Sequence, residues 1–96
     1  MTARIRVLIA DDHPVVRQGL RTFLDVQDDM EVVAEAADGV TAVERAAALA
    51  PDVILLDLKM PGLDGVGVLA ELRSRGITAR ALILTSAAGT GPVRPA

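Results

Sequence analysis

The stretch from Val53 to Gly62 constrains the fold most, because an unbroken apolar run, Val53 to Leu56, leads directly into Asp57. A short apolar run between breakers is typical of a strand buried on both faces of a sheet, and here Pro51 and Pro61 bound it. Ligands of open α/β sheets bind beyond the carboxyl ends of the strands. Asp57 is therefore either a site residue or simply the acid at which the strand leaves the core.

The remaining sequence alternates between strand-like and helix-like segments. Val16, Leu20, Phe23 and Leu24 recur at the spacing of one helix face. Further strands are predicted at Ile5 to Ala10, at Met30 to Ala36 (near a sheet edge) and at Ala79 to Thr85. Three helices are predicted between the strands: the first begins at Pro14, the second covers Thr41 to Leu49, and the third runs from Val66 to the Arg73–Arg75 turn. This alternation predicts one α/β domain, with a parallel sheet and helices on both of its faces.

Composition excludes several classes of protein. The net charge of -3 provides no electrostatic footprint for nucleic acid or an anionic membrane. The absence of cysteine excludes disulfides and thiolate metal sites. No apolar stretch reaches the length of a signal-peptide core or a membrane span. The sequence therefore predicts a soluble cytoplasmic domain that contacts neither membrane nor nucleic acid.

Polar residues end three of the four predicted strands. Asp11 and Asp12 follow the first strand, Asp57 ends the third, and Thr85 ends the fourth. Because the carboxyl ends of parallel strands share one edge of the sheet, these side chains should meet there. Converging carboxylates need a positive partner, and oxygen donors suit Mg²⁺. Asp57 would then be placed as a nucleophile toward phosphorus, and Thr85 as a donor to a phosphoryl oxygen.

Three motifs at these strand ends resemble the receiver domain of two-component response regulators. They are Asp11 to Pro14 (DDHP), Asp57 to Gly65 (DLKMPGLDG) and Leu84 to Ser86 (LTS). The resemblance covers roughly residues 4 to 86. The first two motifs look most like the subgroup whose receiver precedes a LuxR-type helix-turn-helix.

The resemblance implies a fold and a set of roles. The fold would be flavodoxin-like and doubly wound, with strand order 2-1-3-4. Asp57 would accept a phosphoryl group from a sensor histidine kinase or a small acyl phosphate. Asp12 and Asp57 would ligate Mg²⁺ through their side chains, Lys59 through its backbone carbonyl, and Asp11 mainly through water. Thr85 would be the switch hydroxyl.

The sequence departs from the family pattern after its fourth strand. The family continues with a helix, a fifth strand that ends in a lysine, and a last helix, whereas we expect an incomplete receiver at residues 1–86 and an unstructured tail at 87–96. Lys59 is the sole lysine, so no residue takes the place of the phosphate-binding lysine. The fourth strand would become a sheet edge and the first helix would lose cover. Self-association over both is the expected consequence.

Simpler structural roles remain open for the individual residues. Asp11 and Asp12 could cap the first helix, and Thr85 could be an ordinary strand-end threonine. Side chains expected to have only loop, cap or surface roles are His13, Asp38, Lys59, Asp64, Ser86, Glu35, Glu44 and Glu71.

Two other functions compete with a phosphoacceptor signalling domain, which would not be a turnover enzyme. An aspartate-nucleophile phosphohydrolase of the haloacid-dehalogenase type carries a second acid two residues after the nucleophile, and Lys59 at that position argues against it. A receiver-like interaction module that is never phosphorylated is the other alternative. DNA binding would require a further domain.

Overall fold

The computed structural model describes residues 4 to 84, so Thr85, Ser86 and the predicted tail at 87–96 lie outside it. The described elements alternate along the chain as predicted. They are β1 (Ile5–Ala10), α1 (Pro14–Asp25), β2 (Met30–Ala36), α2 (Gly39–Leu49), β3 (Val53–Asp57), α3 (Gly65–Ser74) and β4 (Arg80–Leu84).

The described strands form one parallel sheet in the order β2-β1-β3-β4. This order confirms the predicted doubly wound, flavodoxin-like fold and places β2 at an edge. In the sheet register, Ala10 lies beside Ala36 of β2 and Leu56 of β3. The carboxyl ends of β1, β2 and β3 therefore lie together at one edge of the sheet.

Helices cover the two faces of the sheet unequally. The larger buried cluster lies between the sheet and the α2–α3 side, and it includes Leu8, Ile54, Leu56, Val68 and Leu72. A smaller cluster on the α1 side joins Val7, Ile9 and Leu24. Because β1 contributes alternate residues to the two clusters, it is buried on both faces, as the apolar run from Val7 to Ala10 indicates.

The helices begin and end at residues that suit those positions. Asp38 and Asp64 are the N-caps of α2 and α3, and their side chains accept hydrogen bonds of 2.8 Å from the Thr41 and Gly67 N–H groups. The cap roles predicted for both residues are confirmed. Helix α2 ends at Leu49, and its C-cap Ala50 has a left-handed φ of 48° directly before Pro51.

The apolar face predicted for α1 is only partly buried. Leu24 is buried and Leu20 packs against the smaller cluster. By contrast, Val16 remains 45% exposed and Phe23 63% exposed. Leu82 of β4 is also half exposed, at 51%. Within residues 4 to 84, the apolar side chains of α1 and β4 are therefore only partly covered.

The helices among residues 4 to 84 are unsuited to crossing a bilayer, since none combines sufficient length with sufficient apolar character.

Candidate functional site

Three acids and one imidazole meet at the carboxyl edge of the sheet. Asp11, Asp12, His13 and Asp57 each present a ligand atom, and these four atoms lie within 4.8 Å of one another. The register explains the meeting, because Ala10 pairs with Leu56 and the acids directly follow these two residues. The structure thus brings together the three aspartates that the sequence predicted to converge.

Asp57 is a buried carboxylate with one unsatisfied oxygen. Its exposed fraction is 2%. Oδ1 accepts a hydrogen bond of 3.2 Å from the Lys59 N–H, whereas Oδ2 has no hydrogen-bond partner. The Lys59 side chain itself is exposed, as expected. Burying an ionised carboxylate is costly unless the charge is paired. Asp57 Oδ2 is therefore suited to receive a cation or to react.

Asp11 is held by both its main chain and its side chain. Its N–H donates to the Ala36 carbonyl at 3.0 Å, and its own carbonyl accepts from Arg17 at 2.7 Å. Oδ1 accepts from the His13 N–H at 2.8 Å. Asp11 thus orders the β1–α1 turn. His13 is the N-cap of α1, and its side chain makes no capping hydrogen bond. Because neither Asp11 nor Asp12 occupies the N-cap position, the structure does not support the alternative in which they cap this helix.

The His13 ring lies among the acids. Its Nδ1 is 2.8 Å from Asp11 Oδ1, 3.1 Å from Asp12 Oδ1 and 3.6 Å from Asp57 Oδ2. The hydrogen bond to Asp11, followed by the charge of Asp12, raises the pKa of His13 above its ordinary value. The sequence placed His13 correctly in the loop but did not predict that its ring enters the cluster. The available signal was its position directly after two acids at a strand end.

An ion-pair network joins α1 to β2 and reaches the site. Glu35 accepts from Arg21 and, at 3.0 Å, from Arg17 Nε. The hydrogen bond from Arg21 is the main cause that holds the pKa of Glu35 below its usual value, with Arg17 acting in the same direction. Arg17 also donates to the Asp11 carbonyl. Glu35, expected to be only a surface residue, is thereby connected to the turn that carries Asp11.

Two glycines allow the loop after β3 to pack closely. A Cβ on Gly65 would lie 2.8 Å from both the Asp57 carbonyl oxygen and the Leu58 Cα. A Cβ on Gly39 would overlap the Leu63 backbone. The Gly65 N–H also donates to the Leu58 carbonyl at 2.9 Å. The segment that follows Asp57 is therefore held between the start of α2 and the start of α3.

Residues 7 to 94 match a family model described as the response regulator receiver domain. The chain belongs to this family. Receivers are signalling domains of two-component systems and are generally not turnover enzymes. They bind Mg²⁺ in an acidic pocket and are phosphorylated by sensor histidine kinases.

The chain is similar to receivers of the predicted subgroup. It is 50% identical over 80 residues to the nitrate/nitrite response regulator protein NarP of Escherichia coli. This alignment covers 83% of this chain and 37% of that protein. The solved receiver of the putative response regulator NarL from Mycobacterium tuberculosis aligns with a TM-score of 0.85 and 42% identity, over 88% of this chain and 68% of that one. A LuxR-family response regulator from Aurantimonas sp. SI85-9A1 aligns with a TM-score of 0.80 and 36% identity, over 86% and 59% of the two chains.

The chain spans about two fifths of the length of the curated relatives that it matches. The comparisons therefore concern the receiver portion of those proteins.

The acid cluster of this receiver fits a magnesium ion. Asp12 Oδ1 and Asp57 Oδ2 are both buried oxygen atoms without a hydrogen-bond partner. Mg²⁺ prefers oxygen ligands and typically takes one or two carboxylates while it keeps several waters. These two oxygens are the ones that a cation in the cluster would satisfy.

Proposed function

We propose that this receiver is a phosphoacceptor, phosphorylated on Asp57 in a Mg²⁺-dependent reaction by a sensor histidine kinase. The observation that carries the proposal is Asp57 Oδ2, which is buried, lacks a hydrogen-bond partner and faces Asp12 and His13 at the carboxyl edge of the sheet. An ordinary strand-end acid would point to solvent or pair with a neighbouring donor. The fold instead keeps this oxygen unpaired among further acids.

In the proposed reaction an Asp57 carboxylate oxygen attacks phosphorus and forms the new P–O bond. The P–N bond of the donor phosphohistidine breaks, and its electron pair stays on the imidazole nitrogen, which takes up a proton. Phosphoryl transfer depends mainly on positioning and charge stabilisation, and the Lys59 N–H positions the carboxylate. Bound Mg²⁺ would supply positive charge against the acids and the phosphoryl oxygens.

We assign the ligand roles residue by residue within this proposal. Asp12 and Asp57 hold the ion through their side chains, Lys59 through its carbonyl, and Asp11 through a water molecule. Thr85 acts as the switch hydroxyl; it lies beyond the described residues, and its role rests on the motif alone.

The proposal extends to the setting in which this receiver works. The protein would act in the cytoplasm. By similarity to NarP and the LuxR-family regulators, phosphorylation would control transcription through an output domain joined to a receiver of this type.

Intact-protein mass spectrometry tests the assignment. The chain is incubated with acetyl phosphate, with and without Mg²⁺, alongside Asp57→Asn and the control Asp28→Asn, which alters an exposed acid far from the cluster in sequence. We expect one phosphoryl group to be added only with Mg²⁺, kept in Asp28→Asn and lost in Asp57→Asn. A folded wild-type chain that gains no mass, or a gain that persists in Asp57→Asn, would refute the proposal.

A second candidate function is pairing with another copy of this chain without phosphorylation. Phe23 is 63% exposed on α1. Leu82 is 51% exposed and pairs in register with Leu55, which packs on the α1-side cluster, so Phe23 and Leu82 share one side of the sheet. Sedimentation velocity over a range of concentrations should show self-association that Phe23→Ser weakens and Asp57→Asn leaves intact. Monomeric behaviour at all concentrations would refute this candidate.

A further inference from the structure

His13 is the sole histidine in the sequence, which also lacks cysteine. Imidazole binds borderline transition metals better than it binds Mg²⁺, and His13 supplies the one imidazole in the sequence. The fold places this single imidazole inside the acid cluster rather than elsewhere on the surface. The position is maintained by the backbone, since the His13 N–H donates to Asp11 Oδ1 at 2.8 Å.

The spacing of the donor atoms fits ligands that share one ion. Two ligands at about 2.1 Å from a metal lie about 3.0 Å apart at an octahedral edge and about 3.4 Å apart at a tetrahedral one. His13 Nδ1 lies 2.8, 3.1 and 3.6 Å from oxygens of Asp11, Asp12 and Asp57. The 2.8 Å contact is a hydrogen bond to Asp11, so a metal would replace the Nδ1 proton. The distances to Asp12 and Asp57 are close to those between ligands that share one ion.

Asp57 provides an independent indication of a ligand in the same place. It is 2% exposed, and its Oδ2, the oxygen 3.6 Å from His13 Nδ1, has no hydrogen-bond partner. A merely solvated group of acids would not leave a buried carboxylate oxygen unpaired. The unpaired oxygen and the imidazole therefore converge on one position.

We propose that His13 is a metal ligand through Nδ1, and that with Asp12 and Asp57 it gives the cluster affinity for a borderline divalent ion of the Zn²⁺ class. The inference deepens the proposed function and rests on it, because the same acids are there assigned to Mg²⁺. Mg²⁺ takes oxygen ligands, whereas imidazole suits Zn²⁺, Ni²⁺ and Cu²⁺. His13 therefore sets which ion this receiver prefers, and a Zn²⁺-class ion would compete with Mg²⁺ for the acids.

The first test compares the affinities of the full chain for Zn²⁺ and Mg²⁺, measured by calorimetry, in wild type and His13→Asn. Losing a ligand should lower the ratio of Zn²⁺ to Mg²⁺ affinity by at least about tenfold. His13→Gln provides a second polar replacement. An unchanged ratio in a folded variant would overturn the inference.

The second test uses wild-type protein alone and so does not depend on the folding of a variant. Because there is one imidazole, its two ring-nitrogen NMR signals come from a single residue. Zn²⁺ should shift the Nδ1 signal far more than the Nε2 signal, whereas Mg²⁺, which acts on the ring only through the neighbouring acids, should not single out Nδ1. Zn²⁺ titration without a change at Nδ1 would overturn the inference.

The two proposals fail in different experiments. Zn²⁺ binding through His13 in a chain that acetyl phosphate and Mg²⁺ cannot phosphorylate would refute the phosphoacceptor function but keep the ligand. Phosphorylation of Asp57 combined with an unchanged Zn²⁺-to-Mg²⁺ ratio in His13→Asn would refute the ligand alone.

Discussion

Asp57→Asn should stabilise the metal-free receiver. The substitution keeps the shape of the side chain but removes a charge that is 2% exposed and lies in a cluster spanning at most 4.8 Å. Two unit charges 4.8 Å apart repel by about 3.5 kcal/mol at an effective dielectric constant of ~20, and Asp57 faces two such neighbours. Partial exposure of Asp12 and the positive charge of His13 reduce the sum. We expect a net gain of about 1–3 kcal/mol in the free energy of unfolding.

Magnesium should reduce the stability lead of Asp57→Asn over wild type. Ligand at a hundredfold excess over its dissociation constant adds ~2.7 kcal/mol to a protein that binds it only when folded. Wild type should receive that increment, and Asp57→Asn, which lacks one carboxylate, should receive much less. In the absence of metal, each kcal/mol by which Asp57→Asn is more stable than wild type should raise its melting temperature by roughly 4–8 °C.

The assay is thermal unfolding followed by far-ultraviolet circular dichroism, because the chain has neither Trp nor Tyr. Both proteins are melted at pH 6 in chelator and then with increasing Mg²⁺, and Asp28→Asn serves as the control for loss of an exposed charge. If Asp57→Asn were less stable than wild type in chelator, or gained as much from Mg²⁺, the electrostatic argument would be wrong.

Three further substitutions test other parts of the fold. Gly39→Ala should cost at least about 1–3 kcal/mol, because its Cβ overlaps the Leu63 backbone; an unchanged urea midpoint would contradict this. The depressed pKa of Glu35 means that its ion pairs stabilise the fold fully above its usual value of 4.5 and lose that effect as the pH falls through the folded value. Glu35→Gln should therefore flatten the acid limb of a plot of melting temperature against pH, and an unaltered limb would speak against the network. Ala50→Gly should raise the unfolding free energy by about 0.5–1 kcal/mol, because glycine adopts the left-handed φ of 48° without strain; a lower melting temperature would disprove that reasoning.

The meeting of the acids was predictable from sequence because it depends on strand boundaries and parallel topology. Apolar runs of four residues, Val7 to Ala10 and Val53 to Leu56, lead into Asp11 and Asp57, and the short helical connections leave few alternatives to a parallel arrangement. The helix caps at Asp38 and Asp64 were predictable for a similar reason, since capping is a local hydrogen bond between residues close in sequence.

The direction of the His13 ring and the burial of the α1 face were less predictable. The ring position depends on the conformation of the β1–α1 turn, in which the Asp11 side chain accepts from two nitrogens of His13. No periodicity encodes that geometry. Periodicity likewise predicts that Phe23 and Leu24 share a face, but burial depends on which elements cover it, and the two residues are 63% and 7% exposed. The role of Thr85 stays a prediction.

The acids of the cluster lie at the carboxyl ends of β1 and β3, the two inner strands of the described sheet. β1 is bonded on both sides, to β2 and β3, and β3 is bonded to β1 and β4. Opening an outer strand breaks one ladder, whereas freeing β1 or β3 requires both neighbours to separate. Amide protons of β1 and β3 should accordingly be the last to exchange with deuterium. If so, Asp11 and Asp57 are attached to the strands of the described sheet that open last, and the pocket would persist when β2 or β4 frays.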